Sequence, residues 1–441
     1  MYAIGQILRV LREESGMQLC NAQEASGIEA TLLSRIETGK RLPTVEQINR
    51  LARVYQVDEK KLLIQWESDR ILSTVEHPDI ATEALRVAGE KLQLGDSYLQ
   101  KCSELFNAPV RLESRRYIGS KAKLSEWIMS IIDEETKDVS SFCDIFSGTG
   151  VIANKALQKY SKVIVNDFLY SNNVIYKAFF GAGKWDKSVI DKYLTYYNSL
   201  DPDTLDDNYF SINFGGKYYD YNVSKCIGFI RDHIEKHKQE ITEKEYDILL
   251  ATLIYNIDKL ANTVGHFEAY IKKPIKPQKL ILRPIDAASY DNVDIYREDS
   301  NKLAKTVNCD VVYIDPPYNS RQYCRFYHLY ETLVKWDKPK LYGAALKPAP
   351  ENMSLYCSVK AAETFRDLVE SISARYIVVS YNNTYNSKSS SSENKIGLDQ
   401  LQAILETVGK TKVFDKSYRF FNAGKTSLDD HKELIFITQK K

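Results

Sequence analysis

VVYIDPPYNSRQY, residues 311–323, is the stretch on which the fold turns. Val311, Val312 and Ile314 form an apolar run that stops at Asp315, so a buried strand ends where a polar cleft begins. Pro316 and Pro317 donate no backbone hydrogen bonds and restrict the residues before them. The chain is stiffened there, and the carbonyls of Asp315 and Pro316 are left as acceptors. Asp315 adds a carboxylate and Tyr318 a flat face. An amine conjugated to an aromatic ring is a poor nucleophile, but a site built of acceptors can hold its hydrogens and concentrate the nitrogen lone pair. Asp315, Pro316, Pro317 and Tyr318 are therefore expected to form a catalytic loop for methyl transfer to an amino nitrogen. The competing reading is a strand-end turn with an aromatic plug.

Upstream, Phe142–Gly150 (FCDIFSGTG) reads as a strand, a glycine turn and the start of a helix over 151–157. Such a turn alone is shared by many nucleotide-binding and purely structural loops. A second strand, Val163-Ile164-Val165, delivers Asn166-Asp167 about 20 residues later, the offset at which an acid holds ribose hydroxyls. No P-loop lysine follows the glycines, which argues against phosphate transfer, and S-adenosylmethionine fits both ends. Further upstream, RRYIGSK (115–121) precedes a helix carrying Leu124, Trp127, Ile128, Ile131 and Ile132. Ser120 is expected to cap that helix and to form, with Lys121, a local anion site.

Taken in order, RYIGSK, DIFSGTG, VND, DPPY and SYNN resemble the Dam-like class of DNA N6-adenine methyltransferases across residues 113–441. The resemblance implies an α/β fold, a doubly wound class I methyltransferase sheet built from 113–180 and 296–441, with a target-recognition lobe inserted at 181–295. It also implies Tyr117 and Lys121 at the methionine end of the cofactor, with Asp144, Phe146, Gly148 and Asp315 lining it. Asp167 would hold the ribose, and Asp299 would accept from the cofactor's adenine, although Glu298-Asp299 also reads as an ordinary helix cap. Tyr381 and Asn382 would flank the target base, and Leu434–Ile437 would belong to a terminal antiparallel hairpin. The family often carries an acidic-glycine pair after SYNN, where Thr384-Tyr385 stands here. The serine tract 387–392 reads as a loop closing over DNA or cofactor.

The insertion is rich in Tyr, Asn, Lys and Asp. Asn208-Tyr209-Phe210 and Phe214–Tyr219, including Lys217, suit DNA contact, although a solvated loop-rich lobe reads similarly. Tyr246–Leu260 reads as a buried helix. His266, near Lys272 and Lys273, is expected to be packed rather than catalytic, because amino methylation needs no strong base. Arg321 and Tyr323 are expected to touch the displaced strand.

Residues 1–66 alternate helix patterns with glycine turns: Ile4 to Leu11, Asn21 to Ala25, Thr31 to Ile36, Val45 to Val54, and a last helix capped by Asp58 and ending near Trp66. ASGIEATLLSRIETGKRLPT resembles the Xre/Cro type of helix-turn-helix domain. By that resemblance Glu29, Ala30, Thr31 and Ser34 would face base edges, and Arg35, Lys40 and Arg41 would meet phosphates, with dimerisation as its usual corollary. Residues 67–112 read as a helical connector.

The 60 basic and 59 acidic residues cancel, so any nucleic-acid contact must come from local patches. Seven scattered cysteines without C-x-x-C spacing argue against a disulfide framework or zinc knuckle, and no metal site is expected. With no signal core or bilayer-length apolar stretch, a cytoplasmic protein is expected. The combined expectation is a site-specific adenine methyltransferase of a restriction-modification system using S-adenosylmethionine on a flipped base in double-stranded DNA, with the N-terminal helix-turn-helix serving either autoregulation of its own gene or added target recognition. A cognate restriction endonuclease and homodimerisation through the helix-turn-helix domain are its expected partnerships. The rivals are an N4-cytosine or RNA amino-methyltransferase, and a transcription regulator whose methyltransferase fold only senses a ligand.

Overall fold

The computed structural model describes residues 3–73, 109–317, 319–383, 395–417 and 432–441. Tyr318, Thr384-Tyr385, the serine tract and the connector from 74 to 108 lie outside the described residues. The chain divides into two compact units, Met1–Leu105 and Phe106–Lys441.

In the first unit, α1 (Ala3–Glu14), α2 (Leu19–Ser26), α3 (Ala30–Glu37), α4 (Val45–Val54) and α5 (Glu59–Leu72) enclose a core of Ile4, Leu8, Leu33, Ile36, Ile48 and Leu51. Gly27, at φ 69°, closes α2 in the left-handed conformation and turns the chain into α3. The buried Arg12 and Glu37 join α1 to α3, with guanidinium nitrogens donating at 2.7 and 2.9 Å. The last helix runs past Trp66 to Leu72, beyond the expected boundary, because it has a further contact to make: Asp69 Oδ2 accepts from Ile4 N at 2.7 Å and caps α1.

The second unit is built on a seven-stranded sheet of order β3-β2-β1-β4-β5-β7-β6. Its strands are β1 (Ser141–Asp144), β2 (Lys162–Asn166), β3 (Val293–Tyr296), β4 (Asn308–Ile314), β5 (Ser373–Asn382), β6 (Gly409–Ser417) and β7 (Lys432–Lys440). Neighbours from β3 to β5 are parallel, and β7 runs antiparallel to both β5 and β6. Side chains alternate between two cores. Phe142, Val163, Val165, Val311, Tyr313 and Val378 enter one, while Cys143, Ile164, Val312, Ile314, Ile377 and Val379 enter the other. Burial on both faces is why these strands read as unbroken apolar runs. The strand order reverses between β1 and β4, so their carboxyl ends open a crevice where α/β sheets take ligands.

Two sequence expectations change here. Val293–Tyr296 adds an edge strand, missed because its residues are half exposed and broken by Asp294. The insertion is largely helical, with helices at Lys187–Asn198, Tyr209–Phe214, Tyr221–Lys236 and Glu243–Asp258. Phe210, Phe214, Tyr218 and Tyr219 are fully buried, so these rings pack the lobe and cannot stack on bases. The expected buried helix at Tyr246–Leu260 is the last of the four.

Candidate active site

The crevice is a cleft that opens to solvent. Tyr117, Lys121, Asp144, Phe146, Gly148, Asp167, Asp299 and Asp315 all line it, together with Pro316, Pro317 and Tyr323.

The glycine turn shapes one wall. Gly148 and Gly150 stand at φ 51° and 77°, where side chains are strained, and a Cβ on Gly150 would lie 2.9 Å from the Tyr176 ring. Asp167, at the end of β2, pins this turn: Oδ2 accepts from Gly148 N at 3.0 Å and Oδ1 from Leu169 N at 2.8 Å. Asn166 clamps the neighbouring strand ends, donating to Ile145 O and Glu298 O and accepting from Glu298 N. Beyond it Asp299 Oδ1 accepts from Asn301 N at 3.1 Å and Lys302 N at 3.2 Å. The cap reading of Asp299 therefore holds alongside its place in the cleft.

Asp144, at the end of β1, is 1% exposed, and neither of its carboxylate oxygens takes a hydrogen bond among the described residues. Burial, reinforced by the charge of Asp315, holds its pKa well above the usual carboxylate range. An orphaned buried acid costs free energy unless a ligand satisfies it.

Asp315 follows β4 directly, and Pro316 is buried beside it. Lys121 Nζ lies 3.2 Å from Asp315 Oδ1 and 2.7 Å from Glu433 Oε1. Burial opposes its charge, but Asp315 and Glu433 outweigh that and raise the ammonium pKa. This overturns the expected anion site. Lys121 meets carboxylates, and the helix it precedes begins at Ser125 with Leu124 as its uncapped N-terminus. Ser120 only closes a local turn, through Ala122 N.

Tyr117 stacks on Tyr327, centroids 4.6 Å apart, with the Arg115 guanidinium 4.8 Å from its ring centroid. Tyr323 is half buried, its hydroxyl donating to Ile118 O at 3.1 Å, and lines the cleft. Tyr356, set edge-on against Phe146 with centroids 5.0 Å apart, and Ser354 also line the cleft. Tyr356 lies in a single 3-10 turn, Leu355–Cys357, that Ser354 caps. Six described cysteines are free thiols, and no group of three or more metal-ligating side chains occurs among the described residues.

Residues 117–386 match the D12 class N6 adenine-specific DNA methyltransferase family, more than half of the chain. The chain belongs to this family. Residues 3–62 match a helix-turn-helix domain. The chain is 33% identical over 350 residues to the Type II methyltransferase M.FokI of Planomicrobium okeanokoites, covering 74% of this chain and 52% of that protein, so it spans about half the length of that relative. It is 32% identical to M.NlaIII of Neisseria lactamica, across 74% of this chain and 99% of the relative. M.CviAII of Paramecium bursaria Chlorella virus 1 is 30% identical, across 73% and 97%.

The surfaces that would meet DNA in a D12 methyltransferase differ in kind. Thr31, Arg35, Lys40 and Arg41 are exposed on and just after α3, and Ser34 is half buried. Lys217 is half buried, donating to Ala344 O at 3.1 Å and lying over the Tyr270 ring. Arg321 is half buried beside the cleft residue Gln322. His266 stacks on Phe326, centroids 4.6 Å apart. Among the described residues, no helix is long and apolar enough to cross a membrane.

Proposed function

We propose that this chain methylates the N6 amino group of an adenine flipped from double-stranded DNA, using S-adenosylmethionine, as the modification enzyme of a restriction-modification system. The observation that carries this reading is the meeting, in one cleft, of the Asp315-Pro316-Pro317 turn and the orphaned Asp144 carboxylate.

The residues fit that cofactor. Asp144 would accept from the methionine ammonium, Asp167 from the ribose hydroxyls and Asp299 from the adenine amine, with Phe146 and Gly148 along the nucleoside and Tyr117 at the methionine end. When bound, S-adenosylmethionine supplies a sulfonium methyl. Asp315 and the Pro316 carbonyl take the amino hydrogens of the target adenine, and Tyr318 offers its ring to the extruded base. Holding both hydrogens in a site that excludes water concentrates the lone pair on N6.

The insertion at 181–295 serves as the target-recognition lobe. With Phe214, Tyr218 and Tyr219 buried, exposed Lys272 and Lys273 are better phosphate contacts there than the Phe214–Tyr219 segment. The helix-turn-helix unit reads DNA separately as a dimer, with Thr31 and Ser34 toward base edges and Arg35, Lys40 and Arg41 toward phosphates. A cognate endonuclease is the expected partner.

The test is incubation with duplex DNA and labelled cofactor, followed by digestion to nucleosides. N6-methyladenine is expected, and N4-methylcytosine or RNA-only modification overturns the reading. Asp315→Ala is expected to abolish methyl transfer while cofactor binding persists, and full activity in that variant refutes the assigned role.

A further inference from the structure

Glu433, which no sequence motif marks, reaches the cleft-lining Lys121. It enters from β7, in register opposite Asn382 of β5, and its side chain is 5% exposed. Ser380 Oγ donates to Glu433 Oε1 at 2.7 Å, and the same oxygen lies 2.7 Å from Lys121 Nζ. The ammonium therefore sits closer to Glu433 than to Asp315, which it meets at 3.2 Å. Lys121 and Asp315 side chains are 7% and 16% exposed, so the three charges share a poorly solvated space.

Asp315 and Glu433 thus compete for the one ammonium between them. With Asp315 as its sole partner, a buried ammonium would close on that carboxylate, and its N–H groups and charge would consume the lone pairs that the substrate amine needs. A second acid, fixed by a hydroxyl, divides the ammonium between them. We propose that Glu433 is a positioning residue for amino-group methylation: it draws Lys121 back, so that Asp315 stays oriented by the ammonium yet only partly neutralised as an acceptor. This rests on the reading of Asp315 as the amine acceptor.

The experiment uses the full chain in single-turnover methylation of a duplex that wild type modifies. Glu433→Gln keeps the shape and removes the charge. The methylation step is expected to slow about 10- to 100-fold, the scale of a misplaced catalytic group, with cofactor and DNA dissociation constants within about twofold of wild type. In a Lys121→Met background the same substitution is expected to add less than about twofold, because Glu433 acts through Lys121. A merely structural Glu433 predicts additive losses in the two variants and overturns the proposal, as does a wild-type rate in Glu433→Gln. Should Glu433→Gln not fold, Ser380→Ala leaves all three charges in place. It is expected to slow the same step severalfold, and an unchanged rate there also overturns the proposal. Wild type that forms no N6-methyladenine on any duplex overturns the underlying function. Active wild type with an insensitive Glu433 overturns the positioning role alone.

Discussion

Asp144 and Gly150 show what single positions contribute to the cleft. Among the described residues no well-formed hydrogen bond reaches the buried Asp144 carboxylate, so its ionised form costs stability until a cationic ligand arrives. Asp144→Asn is therefore expected to weaken S-adenosylmethionine about tenfold or more, the worth of a charge-assisted hydrogen bond, without lowering the melting temperature of the ligand-free protein. Calorimetric titration and a thermal melt check the two halves. Gly150 occupies φ 77° with Tyr176 and Phe180 against it. Gly150→Ala is expected to destabilise the larger unit by about 1–3 kcal/mol, through strain and ring displacement, as measured by urea unfolding. Both positions could be singled out from sequence, Gly150 by the glycine turn and Asp144 by the strand before it. That no well-formed hydrogen bond reaches the Asp144 carboxylate could not, because partners are assigned by packing.

At the scale of elements, the helix His328–Lys335 follows the Asp315-Pro316-Pro317 turn in the chain, and its first residue is a buried histidine. His328 Nδ1 donates to Arg325 O at 2.9 Å, while Tyr218 and Phe267 set their ring edges against it. Burial pushes its pKa down to about 4 from an ordinary 6.5. The unfolded chain thus takes up the proton first, so stability present above pH 6.5 is lost as pH falls toward 4. The pH 7 stability gap between wild type and His328→Gln is expected to close by on the order of 3 kcal/mol near pH 4. Urea unfolding at several pH values measures it. Asp247, pushed up to about 7 by burial, works in the opposite direction, so the difference between the two proteins isolates His328 where the raw curve does not. Element by element, strands buried on both faces were readable from their apolar runs. The insertion's helices carried cues that its Tyr and Asn content obscured: Thr242 with Glu245 and Asn208 with Ser211 form capping boxes. The edge strand at 293–296 had too little apolar contrast to be seen.

For the whole molecule, the division of labour between the units is the main question. M.NlaIII aligns over 99% of its length on 74% of this chain, which leaves about a quarter of the chain without a counterpart in that relative. Deleting residues 1–73 is expected to leave the methylated sequence unchanged and to abolish tight binding to an operator, checked by sequencing methylated DNA and by a salt-dependent binding assay. A changed methylation site would assign the first unit to target recognition. Local order carried a great deal of this protein: the alternation of apolar runs with Gly, Pro and Asp placed the strand tips and their acids, because those choices answer to neighbours a few residues away. Folding alone decided that Phe210, Phe214, Tyr218 and Tyr219 of the insertion face inward, that Tyr323 lines the cleft, and that Glu433 meets Lys121. Each depends on which strands and helices come to lie side by side, and burial and charge pairing act across that distance without leaving a trace in the local pattern.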